Sequence, residues 1–249
     1  MSSYKAIFSS DWSECLSPNG PFDPISLNYP ELESELSSIF IQYTGNRISL
    51  TQATARIGKI LPAVLTKEQM DAFLHQEFRT YRGVPEFIQW CLDRDILFMI
   101  NTTGTQGYFQ RVFAGGYLPL VPVVAANPLI RYDDEQDSKR YAYQVLEIED
   151  KPRCTRSVVQ AWNMSGKRVF IMGDSGGDGP HFKWGSQANA FLIGSMTKHS
   201  LGSYCESAGI VINERFGLAY SQGQDRDPVG EMEIDFMDLT AVIENVLEP

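Results

Sequence analysis

The sequence has few of the residues that cross-link a chain or bind a soft metal. Its four cysteines lie far apart and form no CxxC pair, which argues against a structural zinc site and against a disulfide framework. Its three histidines show no spacing typical of metal ligands. We therefore expect each cysteine to be a small core residue or an exposed thiol.

Positive charge is also scarce. Lysine and arginine total 21 against 31 acidic residues, and the resulting net charge of −10 argues against nucleic acid or an anionic membrane as a partner. No apolar run approaches the roughly 18 residues that a membrane span needs, and the first residues show no signal-peptide pattern. We therefore expect a cytoplasmic protein, and the sequence leaves its oligomeric state open.

Apolar residues, in contrast, are plentiful and follow two alternating patterns. The 249 residues are 43% hydrophobic, enough to bury a full core, and the chain is long for one compact domain. Short apolar runs that predict buried strands alternate with amphipathic segments that predict helices. This order predicts an α/β fold, a Rossmann-like parallel sheet with helices on both faces. The predicted strands cover residues 4–8, 96–100, 120–125 and 169–172, and further apolar runs cover 190–194 and 209–212.

A helical segment separates the first two predicted strands. Apolar residues recur at intervals of three and four within it, and two helix starts carry capping boxes, Ser49 with Gln52 and Thr66 with Gln69. We therefore predict two units. A core is made of residues 1–16 and 84–249, and a helical cap subdomain of residues 17–83 is inserted after the first strand.

The most informative stretch of the chain is residues 173–178, which read Gly-Asp-Ser-Gly-Gly-Asp and directly follow a predicted buried strand. Open α/β sheets place their sites at this end of a strand. Asp174 and Asp178 can converge there on one hard cation. Magnesium suits such a place because it takes one or two carboxylates and leaves positions open for water or a phosphate oxygen. The alternative is an ordinary turn rich in glycine and aspartate.

Three other polar segments stand near the ends of predicted strands. They are residues 9–13, residues 101–104 and the segment around Lys151, which Pro152 follows. Because the carboxyl ends of parallel strands meet at one edge of a sheet, we expect these segments and the acidic loop to lie close together.

The order of these four segments resembles the haloacid dehalogenase superfamily of phosphatases and related hydrolases, over essentially the whole chain. Its members show DxD followed by glycine and threonine after the first strand, then a threonine or serine, then a lysine often followed by proline, then a loop like GDxxxD. The matching segments here are residues 9–13 (Ser-Ser-Asp-Trp-Ser), Thr102, Lys151-Pro152 and residues 173–178.

The resemblance implies roles for the first three segments. Ser9 stands where the family has its attacking aspartate, and Asp11 stands where the family has the acid/base two residues later. Thr102 would hold a phosphoryl oxygen, although the sequence does not choose between it and its two neighbours. Lys151 would neutralise charge on the nucleophile and the phosphate.

The resemblance also assigns Asp174, Asp178 and Asp11 to a magnesium ion. It implies magnesium-dependent phosphatase-type chemistry on a small phosphorylated metabolite, weakened because a serine without a neighbouring base is a poor nucleophile. Trp12, in place of the usual glycine, either stacks on a substrate or packs against the cap. Two alternatives stay open: a catalytically silent relative that binds a phosphorylated ligand or a partner protein, and other chemistry on the same scaffold.

Overall fold

The computed structural model of the chain describes residues 4–44, 47–133, 139–164 and 168–248. Within them, seven strands form one sheet in which every neighbouring pair is parallel. The strands are β1 (Ala6–Ser10), β2 (Ile96–Thr105), β3 (Val123–Asn127), β4 (Tyr143–Gln144), β5 (Val169–Gly173), β6 (Phe191–Thr197) and β7 (Glu214–Ala219). Their order across the sheet is β4-β3-β2-β1-β5-β6-β7. The predicted Rossmann-like α/β fold is confirmed.

Eleven α-helices connect or flank these strands in the described residues. They are α1 (Asp23–Asn28), α2 (Glu33–Thr44), α3 (Leu50–Ile60), α4 (Lys67–Glu77), α5 (Val84–Asp93), α6 (Gln106–Ala114), α7 (Asp150–Ala161), α8 (Gly179–Gln187), α9 (His199–Ser207), α10 (Pro228–Met232) and α11 (Leu239–Leu247). A search of the described helices found none with the length and apolar character to cross a membrane.

Four of these helices, α1 to α4, lie between β1 and α5, in the segment predicted as a cap. Both predicted capping boxes are present: Ser49 caps α3 together with Gln52, and Thr66 caps α4 together with Gln69. Buried residues of α3 and α4 belong to the same apolar cluster as one face of the sheet. That residues 17–83 act as a separate cap subdomain stays a prediction.

The core lies on both faces of the sheet, as a parallel sheet between two helical layers requires. Along β1, Phe8 belongs to one apolar cluster and Ile7 to the other. Phe8 is in register with Phe98 of β2 and Phe170 of β5, and its ring stacks on theirs at centroid distances of 5.4 and 6.0 Å. Burial of one such side chain stabilises the fold by about 1.5–3 kcal/mol. This packing fixes β1 at the centre of the sheet.

The apolar run at residues 209–212 forms no strand. Helix α9 ends at Ser207, and Gly209 follows it with a left-handed backbone at φ of +65°. The seventh strand is β7, which begins at Glu214 and pairs with β6 on one side only. An edge strand with one covered face alternates polar and apolar residues, so its sequence lacks the continuous apolar run of the inner strands.

Candidate active site

Three aspartates meet where β1 and β5 end. Asp11 directly follows β1, and its backbone N–H donates to the carbonyl oxygen of Met172 at 3.0 Å, so it continues the parallel pairing of the two strands. Asp174 directly follows β5, and Asp178 lies in the short 3-10 turn after it. Each of the three aspartates offers a carboxylate oxygen, and these oxygens all lie within 4.8 Å of one another.

Lys151 joins this cluster from the first turn of α7. Its Nζ lies 3.0 Å from Asp11 Oδ2 and 2.6 Å from Asp178 Oδ1, and its side chain is buried. Burial alone lowers the pKa of Lys151, but the two carboxylates outweigh it and raise that pKa above its usual range. Burial raises the pKa of Asp11, and Lys151 opposes this shift. The lysine is therefore held as a cation among the carboxylates.

The loop after β5 turns back on itself through Asp178. Its Oδ2 accepts hydrogen bonds from the backbone N–H groups of Asp174 at 3.0 Å and Ser175 at 3.4 Å. Gly173 makes this return possible, because a Cβ there would lie 2.5 Å from the Cγ and Oδ2 atoms of Asp178. The loop therefore needs glycine at position 173, because the carboxylate of Asp178 packs directly against the backbone at the start of the loop.

A second lysine that the sequence analysis missed also contacts the cluster. Lys198 follows β6, and its Nζ lies 2.8 Å from Asp174 Oδ2. It also pairs with Glu14, which in turn pairs with Arg226. Burial alone lowers the pKa of Lys198, but Asp174 and Glu14 raise it above its usual range. Its position after a parallel strand is the signal that could have identified it.

Ser9 lies outside the cluster. It is the fourth residue of β1, it is fully buried, and its Oγ lies 2.9 Å from Thr155 Oγ1 of α7. The residue that β1 delivers to the carboxylates and to Lys151 is Asp11 instead. Strand β1 continues through two buried serines, so Ser9, to which the resemblance assigns the attacking position, lies inside the strand, and Asp11 is the first residue after it.

Two neighbouring threonines of β2, Thr102 and Thr103, lie in different surroundings. Thr102 is fully buried and its Oγ1 accepts from the N–H of Gly104 at 3.2 Å, so the hydroxyl serves the local turn. Thr103, its neighbour, lines the cleft beside Asp11. Of these two threonines, Thr103 is therefore the one that borders the cleft.

A cleft with a volume of about 390 Å³ opens over these groups. Trp12 does not line it: this side chain is 2% exposed and packs edge-on against Phe109, with ring centroids 5.5 Å apart. Of the two roles left open for Trp12, the structure shows packing and not a place in the cleft. The polar lining residues are Asp11, Ser13, Glu14, Tyr43, Thr103, Lys151, Asp174, Ser175, Lys198, Ser200 and Tyr204.

Comparison with known proteins defines the class of fold. No protein-family model and no curated protein matches the sequence. Among solved structures, the chain is similar to phosphoserine phosphatase captured as a phospho-aspartyl intermediate analogue, with a TM-score of 0.65, 15% identity, and coverage of 96% of this chain and 99% of that one. It is also similar to a haloacid dehalogenase family hydrolase from Salmonella enterica serovar Typhi, with a TM-score of 0.68, 13% identity, and coverage of 97% and 72%.

A third similar structure is cytosolic 5'-nucleotidase IIIB bound to cytidine, with a TM-score of 0.62, 11% identity, and coverage of 98% of this chain and 86% of that one. The chain therefore has the fold of the haloacid dehalogenase phosphatases, and the resemblance found in the sequence is confirmed at the level of the fold. Identities this low establish the fold alone, so the activity has to be argued from the residues of the site.

Proposed function

We propose that the protein is a magnesium-dependent hydrolase of the phosphatase type that acts on a small phosphorylated compound, with Asp11 as the attacking residue. One observation carries the proposal. The carboxylate of Asp11 is held 3.0 Å from the ammonium group of Lys151, beside two further carboxylates, at the floor of a cleft. A nucleophile, a fixed counter-charge and a cation-binding group are thus within reach of one phosphate.

Chemistry favours Asp11 over Ser9 as the nucleophile. A serine hydroxyl needs a base to remove its proton. The partner of the Ser9 hydroxyl is the Thr155 hydroxyl at 2.9 Å, and His181 Nε2 bonds to Thr155 rather than to Ser9. A carboxylate attacks without losing a proton. Asp11 also borders the cleft, whereas Ser9 is fully buried and does not line it.

The donor set fits a hard divalent cation. The carboxylates of Asp11 and Asp174 border the cleft, and oxygen ligands of this kind are those that Mg²⁺ prefers. Both oxygens of Asp178 are engaged, one by Lys151 and the other by the amides of the loop, so Asp11 and Asp174 would be the main residues to hold the ion. Bound there, magnesium supplies positive charge to the phosphoryl oxygens and to the attacking carboxylate.

Each residue of the site has a separate role in the reaction. An oxygen of Asp11 bonds to phosphorus while the bond to the leaving oxygen breaks, which gives an aspartyl-phosphate; water then cleaves this intermediate to phosphate and free Asp11. Lys151 neutralises charge on Asp11 and on the phosphate. The Thr103 hydroxyl and the N–H groups at the end of β2 orient a phosphoryl oxygen. Lys198 holds Asp174 in place.

The size and charge of the cleft favour a small substrate. Its volume of about 390 Å³ lies near the lower end of typical ligand sites, and its walls combine two lysines with the rings of Phe40, Tyr43 and Tyr204. The two cations attract an anionic phosphate locally although the whole chain carries a net charge of −10.

A screen of phosphorylated metabolites with and without magnesium tests the proposal. We expect metal-dependent phosphate release that Asp11→Asn abolishes and that Ser9→Ala and the exposed control Asp133→Asn retain. Ligand-dependent thermal stabilisation without turnover would instead identify a silent binding protein. Loss of turnover in Ser9→Ala with full activity in Asp11→Asn would contradict the assignment of the nucleophile.

A further inference from the structure

We propose that this site accepts only phosphorylated compounds whose leaving oxygen departs without a proton, such as acyl and aryl phosphates, and that it cleaves alkyl phosphate esters poorly. The inference rests on the proposed function, because it takes Asp11 as the attacking residue. It goes further by defining the class of substrate from the groups that the cleft offers to the leaving oxygen.

The carboxylates of the cleft are all engaged when the cation is bound. Asp11 attacks phosphorus. Asp174 pairs with Lys198 at 2.8 Å, and although burial raises its pKa to about 7, it would hold the cation in its deprotonated form. Glu14 pairs with Lys198 and with Arg226. Burial alone raises the pKa of Glu14, but these two cations outweigh it and lower that pKa below its usual range, so Glu14 is an anion at neutral pH. Asp178 is fully buried and donates nothing, since Lys151 and the loop amides hold both of its oxygens.

The remaining groups on the cleft wall are poor acids. Among the described residues that line the cleft, the proton-bearing side chains other than carboxylic acids are hydroxyls, phenols and two lysines, and there is no histidine. Burial raises the pKa of Tyr43 to about 12, and it raises that of Tyr204 as well. Both lysines already pair with carboxylates, Lys151 with Asp178 at 2.6 Å and Lys198 with Asp174 at 2.8 Å. None of these groups exchanges a proton readily near neutral pH.

Ser13 occupies the place from which a donor could act. It lies two residues after Asp11 and lines the same cleft. Its hydroxyl is too weak an acid to protonate a leaving group, because a general acid works best when its pKa is near the operating pH. A carboxyl group at this position would be the acid that the site lacks.

Without a general acid, the leaving oxygen has to depart without a proton. When Asp11 bonds to phosphorus, the electron pair of the broken bond stays on that oxygen, which departs as an anion and takes its proton later from bulk water. A carboxylate leaving group, whose acid has a pKa of about 4, or a phenolate, at about 10, tolerates this departure. An alkoxide is far more basic, and the missing general acid is worth about 10²–10⁴-fold in rate.

The test compares kcat/KM across a series of leaving groups: acetyl phosphate, substituted aryl phosphates and glycerol phosphate, with magnesium present. The ratio kcat/KM is the right quantity because it covers the steps through formation of the aspartyl-phosphate and excludes its hydrolysis. We expect at least a 100-fold fall in kcat/KM from acetyl phosphate to glycerol phosphate, and a steep decline with phenol pKa within the aryl series.

Two matched variants locate the cause. Ser13→Asp supplies the missing acid, and we expect it to raise kcat/KM for glycerol phosphate at least tenfold and to flatten the dependence on leaving-group pKa. Ser13→Asn has the same shape without the acidic proton, and we expect it to keep the steep dependence. Acid-quenched mass spectrometry should detect the phosphorylated protein with acetyl phosphate in both variants.

The outcomes separate the two proposals. If the wild-type protein cleaves acetyl, aryl and alkyl phosphates with similar kcat/KM, the inference about leaving groups is wrong and the proposed function stands. If it releases phosphate from none of them and no phosphorylated protein forms, the proposed function fails and the inference fails with it. Should Ser13→Asp not fold, the wild-type series decides by itself.

Discussion

Lys151 and Asp178 form a fully buried ion pair, with Nζ 2.6 Å from Oδ1. The pair joins the first turn of α7 to the loop after β5, two segments that are 27 residues apart in sequence. Burying two charges costs several kcal/mol per ion in desolvation, and their attraction repays this only when the geometry is good and the other polar atoms are satisfied. Here Asp11 and the loop amides satisfy them. The charged cluster therefore depends on each of its members.

The first prediction concerns removal of the central cation. Lys151→Met keeps most of the apolar stem and leaves Asp11 and Asp178 without their partner. We expect the free energy of unfolding in urea to fall by about 3–5 kcal/mol without divalent metal, since uncompensated carboxylates remain buried. Magnesium should restore part of the loss by supplying positive charge to the same oxygens.

The control for this experiment is Lys59→Met, which changes an exposed lysine of α3. It should alter the free energy of unfolding by no more than about 0.5 kcal/mol. Equal losses in the two variants, or a loss in Lys151→Met that magnesium deepens, would show that the lysine does not balance the carboxylates.

The second prediction concerns the backbone of the acidic loop. In Gly173→Ala, the new methyl group would lie 2.5 Å from Asp178 Cγ, so the carboxylate has to move away from the amide of Asp174 and from Lys151. We expect the free energy of unfolding to fall by about 1–3 kcal/mol and magnesium-dependent stabilisation to weaken. Thermal unfolding with and without magnesium measures both effects.

Gly202→Ala is the matched control, because no atom lies within 4 Å of a Cβ at this helical position. Alanine is the better helix former, so this change should stabilise the protein by about 0.5–1 kcal/mol. A neutral or stabilising effect of Gly173→Ala would mean that the loop does not need the close approach described above.

The third prediction concerns pH. Burial, reinforced by the nearby Lys151, lowers the pKa of His181 to about 3, against an ordinary value of 6.5. Between these two pH values the unfolded chain binds a proton at this histidine and the folded chain does not. The free energy of unfolding therefore decreases as pH falls from 6.5 towards 3. The stabilising contribution is fully present above pH 6.5.

His181→Gln removes this proton uptake. Between pH 6 and pH 4 the free energy of unfolding should therefore change less steeply with pH in the variant. The difference in slope should correspond to about one proton fewer taken up on unfolding. The exposed His75→Gln serves as control and should leave the slope at its wild-type value. An unchanged slope in His181→Gln would mean that His181 is already protonated in the folded protein.

Much of this site follows from one rule, that loops at the carboxyl ends of parallel strands meet. From the sequence alone, this rule predicts that Asp174 and Asp11 lie at the same edge of the sheet, because each follows a strong apolar run. The role of Lys151 is implied by its place in the family motif, and the structure adds that it lies in the first turn of α7. The parallel order of the strands also follows from the alternation of strand and helix patterns.

The features that the sequence does not reveal have a common physical origin. Ser9 and Ser10 looked like loop residues, yet both are buried in β1, with their hydroxyls satisfied by Thr155 Oγ1 and by the carbonyl of Asp11. A polar side chain with a buried partner does not end a strand, and the sequence does not reveal that partner. The contact between Glu14 and Lys198, 184 residues apart, likewise exists only through the tertiary fold.

The last prediction tests that long-range contact. Glu14 is tied to Lys198 and Arg226, and although burial alone raises its pKa, the two cations lower it below the ordinary value of 4.5. Because the folded pKa is depressed, the stabilisation is present above pH 4.5 and is lost as pH falls through the folded pKa. Glu14→Gln should therefore lower the free energy of unfolding at pH 7 by about 2 kcal/mol, the worth of hydrogen bonds to a charged group.

The difference between wild type and Glu14→Gln should shrink steadily as the urea titrations are repeated below pH 4.5, because the wild-type carboxylate then takes up the proton that makes it resemble the amide. Glu206→Gln, an exposed change in α9, should give no such pH-dependent difference. A difference for Glu14→Gln that grows towards low pH would reverse the sign of the coupling and show that Glu14 is protonated in the native cluster.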